Sequence, residues 1–139
     1  MISPLIRKLE RRDVLSEEEK QALAGAVARV KEIRMDEDLV RDGDRPTEST
    51  LLLEGIAARY KLLRNGRRQI TALHISGDFV DLHSFLLKTM DHGVVALTRC
   101  RVGLVPHSTL REITETHLHL GRLLWLSTRY CQLAAEETR

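Results

Sequence analysis

Cysteine is scarce in this chain of 139 residues, with Cys100 and Cys131 the only two. Two thiols are too few for a disulfide scaffold, and a four-thiolate iron–sulfur site cannot be built from them within one chain. A cytoplasmic, reducing compartment fits that usage. Long apolar runs are missing as well. No stretch approaches the 18 apolar residues of a membrane-spanning helix, and Met1 to Arg12 is charged within seven residues and lacks the apolar core and cleavage site of a secretory signal. A soluble protein is expected. Charge of one sign is also lacking: 22 basic residues against 20 acidic ones leave a formal net charge of +2, with the two signs mixed along the chain. A nucleic-acid reader concentrates its cations on one helix or stripe. The nearest cluster here, Arg64, Arg67 and Arg68, falls at a predicted hairpin tip and reads as a solvated turn.

What is present is a rhythm of turns. Asp42-Gly43-Asp44, Glu54-Gly55, Asn65-Gly66 and Gly77-Asp78 place glycines 12, 11 and 11 residues apart. Glycine takes the positive-φ positions of tight turns, so this spacing predicts a stack of short antiparallel strands in a sandwich or barrel. The runs that read as strands are Lys31 to Met35, Leu51 to Leu53, Ala57 to Leu63, Gln69 to Ile75, Val94 to Leu97 and Val102 to Val105. Asn65-Gly66 between two such runs predicts a hairpin with a type I′ turn. At 42% hydrophobic residues, a chain of this length can bury one core of its own.

Helices flank the strands. Ser16-Glu17-Glu18-Glu19 is a capping box that starts a helix, and Leu23, Ala26, Val27 and Val30 carry it to about Arg29. A shorter helix over Pro4 to Arg11 precedes it, with Leu5, Ile6 and Leu9 facing inward. Leu82, Phe85 and Leu86 suggest a short helix inside the β region. After Pro106 the pattern is helical again, over about Ser108 to Thr116 and then Leu118 to Glu137. The last helix has two apolar rows: Leu123, Leu126, Tyr130 and Leu133, and beside them Leu120, Leu124, Ser127, Cys131 and Ala134. One row can pack on the β domain and the other on a second copy; the alternative is a single helix buried on its own barrel.

In this order the elements resemble the effector domain of the Crp/Fnr superfamily of bacterial transcription regulators. The residues that carry the likeness are Leu39 to Asp44, Ser49 to Gly55, Gly77-Asp78-Phe79-Val80, Ala96-Leu97-Thr98 and Cys100-Arg101-Val102. The resemblance implies a mainly β fold, a double-stranded β-helix or jelly roll like that of cyclic-nucleotide-binding domains, with N-terminal helices and a long C-terminal dimerisation helix. It divides the chain into an effector domain over 1–116 and that helix over 117–139. It also implies a cytoplasmic transcription regulator rather than an enzyme.

Relatives that bind cyclic AMP carry a phosphate-binding cassette after the Gly-Asp-Phe turn, with a glutamate for the ribose hydroxyl and an Arg-Ser/Thr-Ala triplet for the phosphate. This sequence departs from both. The triplet positions hold Met90-Asp91-His92, and the acidic position is at best Asp81. A methionine cannot neutralise a phosphate and an aspartate repels one, so cyclic-nucleotide binding is expected to be weak or absent. Asp81, Leu82, His83, Met90, Asp91 and His92 are the expected pocket wall, and Leu123, Leu126, Tyr130 and Leu133 the expected homodimer seam. Regulators of this family continue into a helix-turn-helix module, whereas this sequence stops at Glu136-Glu137-Thr138-Arg139; DNA is expected to be a partner only through a module absent from this chain, and no membrane partner is expected. No cofactor or metal is expected.

Two alternatives stay open. One is a working cyclic AMP or cyclic GMP site with a divergent cassette. The other is a cupin-like metalloprotein using His74, His83 and His92, although the only histidine pair separated by one residue, His117-Leu118-His119, falls at a helix junction where the two do not converge. No serine–histidine–acid or cysteine–histidine spacing points to catalysis.

Overall fold

The computed structural model describes residues 3–41, 47–81 and 92–124. The chain opens with two short helices, α1 (Ser3–Glu10) and α2 (Glu17–Ala24). Leu5 and Leu9, four residues apart on α1, are both buried. The capping box at Ser16 forms as its sequence predicts: the Ser16 hydroxyl accepts from the Glu19 amide at 3.2 Å while the Ser16 amide donates to the Glu19 carboxylate at 2.9 Å. The far end of α2 differs from expectation. The helix stops at Ala24, where the Gly25 amide donates back to the Gln21 carbonyl. The Ala28 amide then donates to Leu104, and strand β1 (Arg29–Ile33) begins. Val30, which fell in helical register with Leu23, lies in that strand and is exposed. Pairing with a distant strand outweighed a spacing that looked helical.

Among the described residues seven strands follow these two helices. β1, β7 (Cys100–Pro106) and β3 (Glu48–Glu54) form one antiparallel sheet, in the order β1-β7-β3. β2 (Asp38–Val40), β6 (Gly93–Ala96), β4 (Ala57–Leu62) and β5 (Arg68–His74) form the other, in the order β2-β6-β4-β5. These are the short antiparallel strands that the turn rhythm implied, in the mainly β jelly-roll arrangement that the resemblance implied. β2 has no counterpart among the expected strands, because three residues cannot display an alternation. β3 and β7 outrun their apolar cores: Ser49 and Thr50 pair with Val105 and Leu104 in the same ladder as Leu51 and Leu52.

Gly55, Gly66 and Gly77 all have positive φ, at 103°, 81° and 96°; Gly43 lies outside the described residues. The Asn65-Gly66 hairpin forms, but its turn is not type I′, since Gly66 has positive φ and Asn65 does not. The Gly66 amide donates to the Leu63 carbonyl, the Leu63 amide to the Arg67 carbonyl, and the Asn65 side chain accepts from the Arg67 amide. That pattern is a three-residue loop in which only the last residue is left-handed. At Gly77 a side chain is excluded twice over, by its φ and by the Pro4 carbonyl oxygen 2.7 Å from where a Cβ would sit.

Two large apolar cores result among the described residues, beside a small cluster of Ala58, Tyr60 and Val95. One lies between the sheets and joins Ile33, Leu52 and Val102 to Val40, Ala57, Val94 and Ala96. The other lies on the outer face of the β1-β7-β3 sheet, where Leu51, Leu53 and Val105 meet Leu5, Leu9 and Leu23 from the N-terminal helices. It also takes Leu110 and Ile113 from α3 (His107–Thr116) and Leu120, Leu123 and Leu124 from α4, helical over 118–124. The expected short helix around Leu82 to Leu86 and the remainder of the expected terminal helix lie outside the described residues.

Candidate functional site

The Gly77 turn delivers the chain to the free edge of β3. The Gly77 amide donates to Leu52 at 2.8 Å, the Leu52 amide to Asp78 at 2.8 Å, and the Val80 amide to Thr50 at 3.0 Å. Leu51 and Phe79 bridge in antiparallel fashion. Residues 77–81 therefore run as a short extra edge on that sheet before the segment expected to form the pocket wall. Asp81 closes this edge. Its carboxylate accepts from the Thr50 amide at 2.5 Å and from the Thr50 hydroxyl at 3.2 Å. Burial raises its pKa to about 7, against the lowering effect of the Thr50 contacts and the Arg59 charge.

Asp78, in the same turn, faces the other way. It accepts from the Lys8 ammonium of α1 at 2.7 Å and from the Ile75 amide at 3.0 Å. Burial works to raise its carboxyl, but the facing His74 and Lys8 and the amide outweigh it and hold the pKa at about 2. His74, at the end of β5, is 1% exposed. Its Nδ1 lies 3.6 Å from Asp78, longer than a hydrogen bond, and neither ring nitrogen has a hydrogen-bond partner. Burial pushes its pKa below the ordinary histidine value, so the ring is neutral at pH 7.

Register shows what surrounds that ring. His74 and Ala96 both pair with Ala57, while Ala72 and Val94 both pair with Arg59. Directly paired residues share a face, and Ala57, Val94 and Ala96 belong to the core between the sheets. Arg59 and His74 therefore look into the roll, among small side chains. The Arg59 charge acts on both His74 and Asp81. The interior of the roll thus holds the Arg59 guanidinium and a neutral His74 imidazole, with the buried Asp81 carboxyl at its rim.

At the start of β6, where the triplet Met90-Asp91-His92 ends, the next residue is covered. A Cβ on Gly93 would lie 2.3 Å from the Tyr60 ring, so Tyr60 occupies the space that a side chain there would take. The Tyr60 hydroxyl donates to Asp38 at 2.9 Å, and the Arg68 guanidinium sits 4.6 Å above the ring centroid. Burial, then the Asp38 contact, raises the Tyr60 pKa.

Of the six expected pocket residues, Asp81 and His92 are described, and both are buried; Leu82, His83, Met90 and Asp91 lie outside the described residues. Of the expected seam, Leu123 is buried in the chain's own helix-backed core, and Leu126, Tyr130 and Leu133 lie outside. Among the described residues, no group of three or more His, Cys, Asp or Glu side chains is arranged to hold a metal ion. Cys100 is a buried free thiol. Among the described residues no helix is long and apolar enough to cross a membrane. Sequence reasoning did not single out Arg59, Thr50 or Tyr60 and considered His74 only as a metal ligand. The available signal was the Asn65-Gly66 hairpin, whose register sets Arg59 and His74 on one face.

The family model described as "Cyclic nucleotide-binding domain" matches residues 30–117. FixK2 from Bradyrhizobium japonicum is 30% identical, with a TM-score of 0.71, over 80% of this chain and 55% of its own. A cyclic nucleotide-binding domain from Methylobacillus flagellatus superposes with a TM-score of 0.80 at 16% identity, over 99% of this chain and 79% of its own. The catabolite activator protein of Thermus thermophilus gives 0.76 at 17% identity, over 97% and 61%. The chain thus spans little more than half the length of FixK2. No curated protein matches by sequence.

Proposed function

This chain belongs to the cyclic nucleotide-binding domain family, and from that premise we propose that it is the effector-sensing and dimerisation domain of a cytoplasmic, Crp/Fnr-type transcription regulator that does not use the ordinary cyclic-nucleotide contacts. The observation that carries this reading is the commitment of Asp81. It is the acidic residue nearest the position from which a ribose hydroxyl would be held, and its carboxylate is buried against the Thr50 amide and hydroxyl instead. Releasing it toward a ligand would leave a buried amide without an acceptor, which costs about 1–3 kcal/mol. The chemistry of Met90-Asp91-His92 points the same way, because a cyclic phosphate would meet an aspartate where relatives offer a guanidinium. Tyr60, fixed by Asp38 and packed over Gly93, narrows the space beside that triplet.

In this reading Asp81, Leu82, His83, Met90, Asp91 and His92 form the wall of an effector pocket for another small molecule. Dimerisation runs through the terminal helix. With Leu123 buried on its own domain, the seam falls to Leu126, Tyr130 and Leu133. An effector would act by changing the dimer geometry that spaces two DNA-reading modules. The domain itself carries out no catalysis, and operator binding is assigned to a DNA-reading module rather than to this domain.

Titration calorimetry with cyclic AMP and cyclic GMP tests the pocket. No heat is expected with ligand at roughly 100 μM; affinity tighter than about 10 μM, near −7 kcal/mol, would establish the divergent cassette as a working nucleotide site. Light scattering tests the dimer. Leu126→Glu is expected to halve the mass in solution, and an unchanged mass with intact circular dichroism removes the proposed seam.

A further inference from the structure

His119 is the first-turn residue of α4 whose ring is held at both ends. Its Nδ1 lies 2.7 Å from a Glu19 carboxylate oxygen on α2, and its Nε2 lies 2.9 Å from an Asp13 carboxylate oxygen in the connection between α1 and α2. A neutral imidazole has one N–H donor and one lone pair. It cannot donate to carboxylates at both nitrogens at once, whereas an imidazolium can. With Glu19 and Asp13 ionised, the geometry therefore requires the charged ring. Loss of the proton turns one 2.7–2.9 Å contact into a lone pair facing a carboxylate. We propose that His119 is a pH-sensitive clasp that fastens the base of the terminal helix to the N-terminal helices and lets it go when the imidazole loses its proton.

The surroundings make the clasp a single unit. Glu19 uses its other carboxylate oxygen to accept from the Ser16 amide, so the acceptor for His119 is fixed by the same capping box that starts α2. Asp13 is anchored by accepting from the Val14 amide. α3 reaches α4 where Thr114 packs against Gly121, through an uncharged contact. Close to these residues in sequence stand the charged or titratable Arg12, next to Asp13, Lys20, next to Glu19, His117 and Glu115 ahead of His119, and Arg122 three residues after it. Lys20 pairs with Glu10 and Glu17 rather than with Glu19. The contact with Glu19, then that with Asp13, raises the His119 pKa above its ordinary value of 6.5, and both carboxylates are held below theirs.

The sign follows from linkage. A group whose folded pKa is raised contributes stability that is fully present below its unfolded value and is lost as pH rises through the folded one. The clasp is thus closed at mildly acidic pH and opens on the alkaline side of 6.5. It grips the helix on which the dimer seam is proposed, but its operation depends on neither the ligand nor the dimer.

The test uses the full chain. Carbon-detected NMR titration of the His119 ring is expected to give a midpoint above 6.5, moving down toward that value in both Asp13→Asn and Glu19→Gln. Hydrogen exchange of the 118–124 amides, normalised to the intrinsic rates, is expected to quicken at least tenfold across the wild-type midpoint. In His119→Gln, whose amide NH₂ still donates but carries no titrating charge, exchange should be flat over the same range. A midpoint at or below 6.5, or α4 exchange that ignores the titration, overturns the clasp. A change in the His119→Gln baseline alone does not support it, because lost packing would produce that too.

Discussion

The two sides of the β1-β7-β3 sheet are built on opposite plans. Toward the helices, Leu51, Leu53 and Val105 meet Leu5, Leu9, Leu23, Leu110 and Leu120 in a core of large aliphatic side chains. Across the roll, the other sheet presents Ala57, Ala72 and Ala96 with Arg59 and His74 set among them, and Asp81 is tied to Thr50 at the rim. Large apolar surfaces stabilise by burial in proportion to area, at about 25 cal/mol per Å². Small residues beside buried ionisable groups do little of that. The helix-backed face therefore buries mainly large apolar side chains, whereas the roll interior combines its own apolar core of Ile33, Leu52, Val94 and Val102 with ionisable groups.

Leu51→Ala bears hardest on this contrast. Leu51 is fully buried at the centre of the helix-backed core, and truncation of such a leucine costs about 2–5 kcal/mol through lost transfer energy and the cavity left behind. Urea denaturation should show a loss in that range with an unchanged slope. A loss below about 1 kcal/mol would mean that the helices are not the main brace, and the contrast breaks.

Asp81→Asn sharpens the other side. The asparagine oxygen can still accept from the Thr50 amide, and its NH₂ can donate to the Thr50 hydroxyl, so the edge of β3 stays closed. The proton linkage disappears. A carboxyl whose pKa is raised from 3.8 to about 7 on folding holds its proton more tightly in the folded state. Wild-type stability from this group therefore falls as pH rises from the ordinary aspartate value through 7. Measured at pH 5 and pH 8, the stability difference between wild type and variant should move in favour of the variant by about 2 kcal/mol. A difference that stays constant would place the Asp81 carboxyl in an ordinary, solvated environment.

The same contrast explains what the sequence made legible. The turn rhythm read correctly because positive φ at Gly55, Gly66 and Gly77 is a local requirement that only a few residue types meet. The capping box at Ser16 is local too, and it formed. Errors came where distant parts decide. Val30 looked helical until β7 claimed it, and three-residue β2 had no pattern to display. Of the expected pocket wall only Asp81 and His92 are described, and their surroundings were not legible in the sequence. Asp81 reads as a ligand-facing acid in sequence, and only the fold brings Thr50, thirty-one residues earlier, to its carboxylate. Arg59 and His74 are fifteen residues apart by their numbers; the bulged register of β4 on β5 puts them on one face.

His74→Leu has the smallest expected effect and tests the contrast most finely. Leucine is close to histidine in size, and the ring it replaces is 1% exposed with neither nitrogen hydrogen-bonded. An unpartnered polar group pays its desolvation without return, and replacing it with an apolar side chain of similar shape is close to neutral or stabilising. The one thing lost is the 3.6 Å approach to Asp78, and Lys8 still holds that carboxylate at 2.7 Å. Stability at pH 7 should stay within about 1 kcal/mol of wild type or rise. A loss above about 2 kcal/mol would show that the imidazole makes a bond in solution that offsets its burial. An unchanged or higher stability leaves a buried histidine that folding does not need, and that is the residue on which a search for a small-molecule effector should be scored.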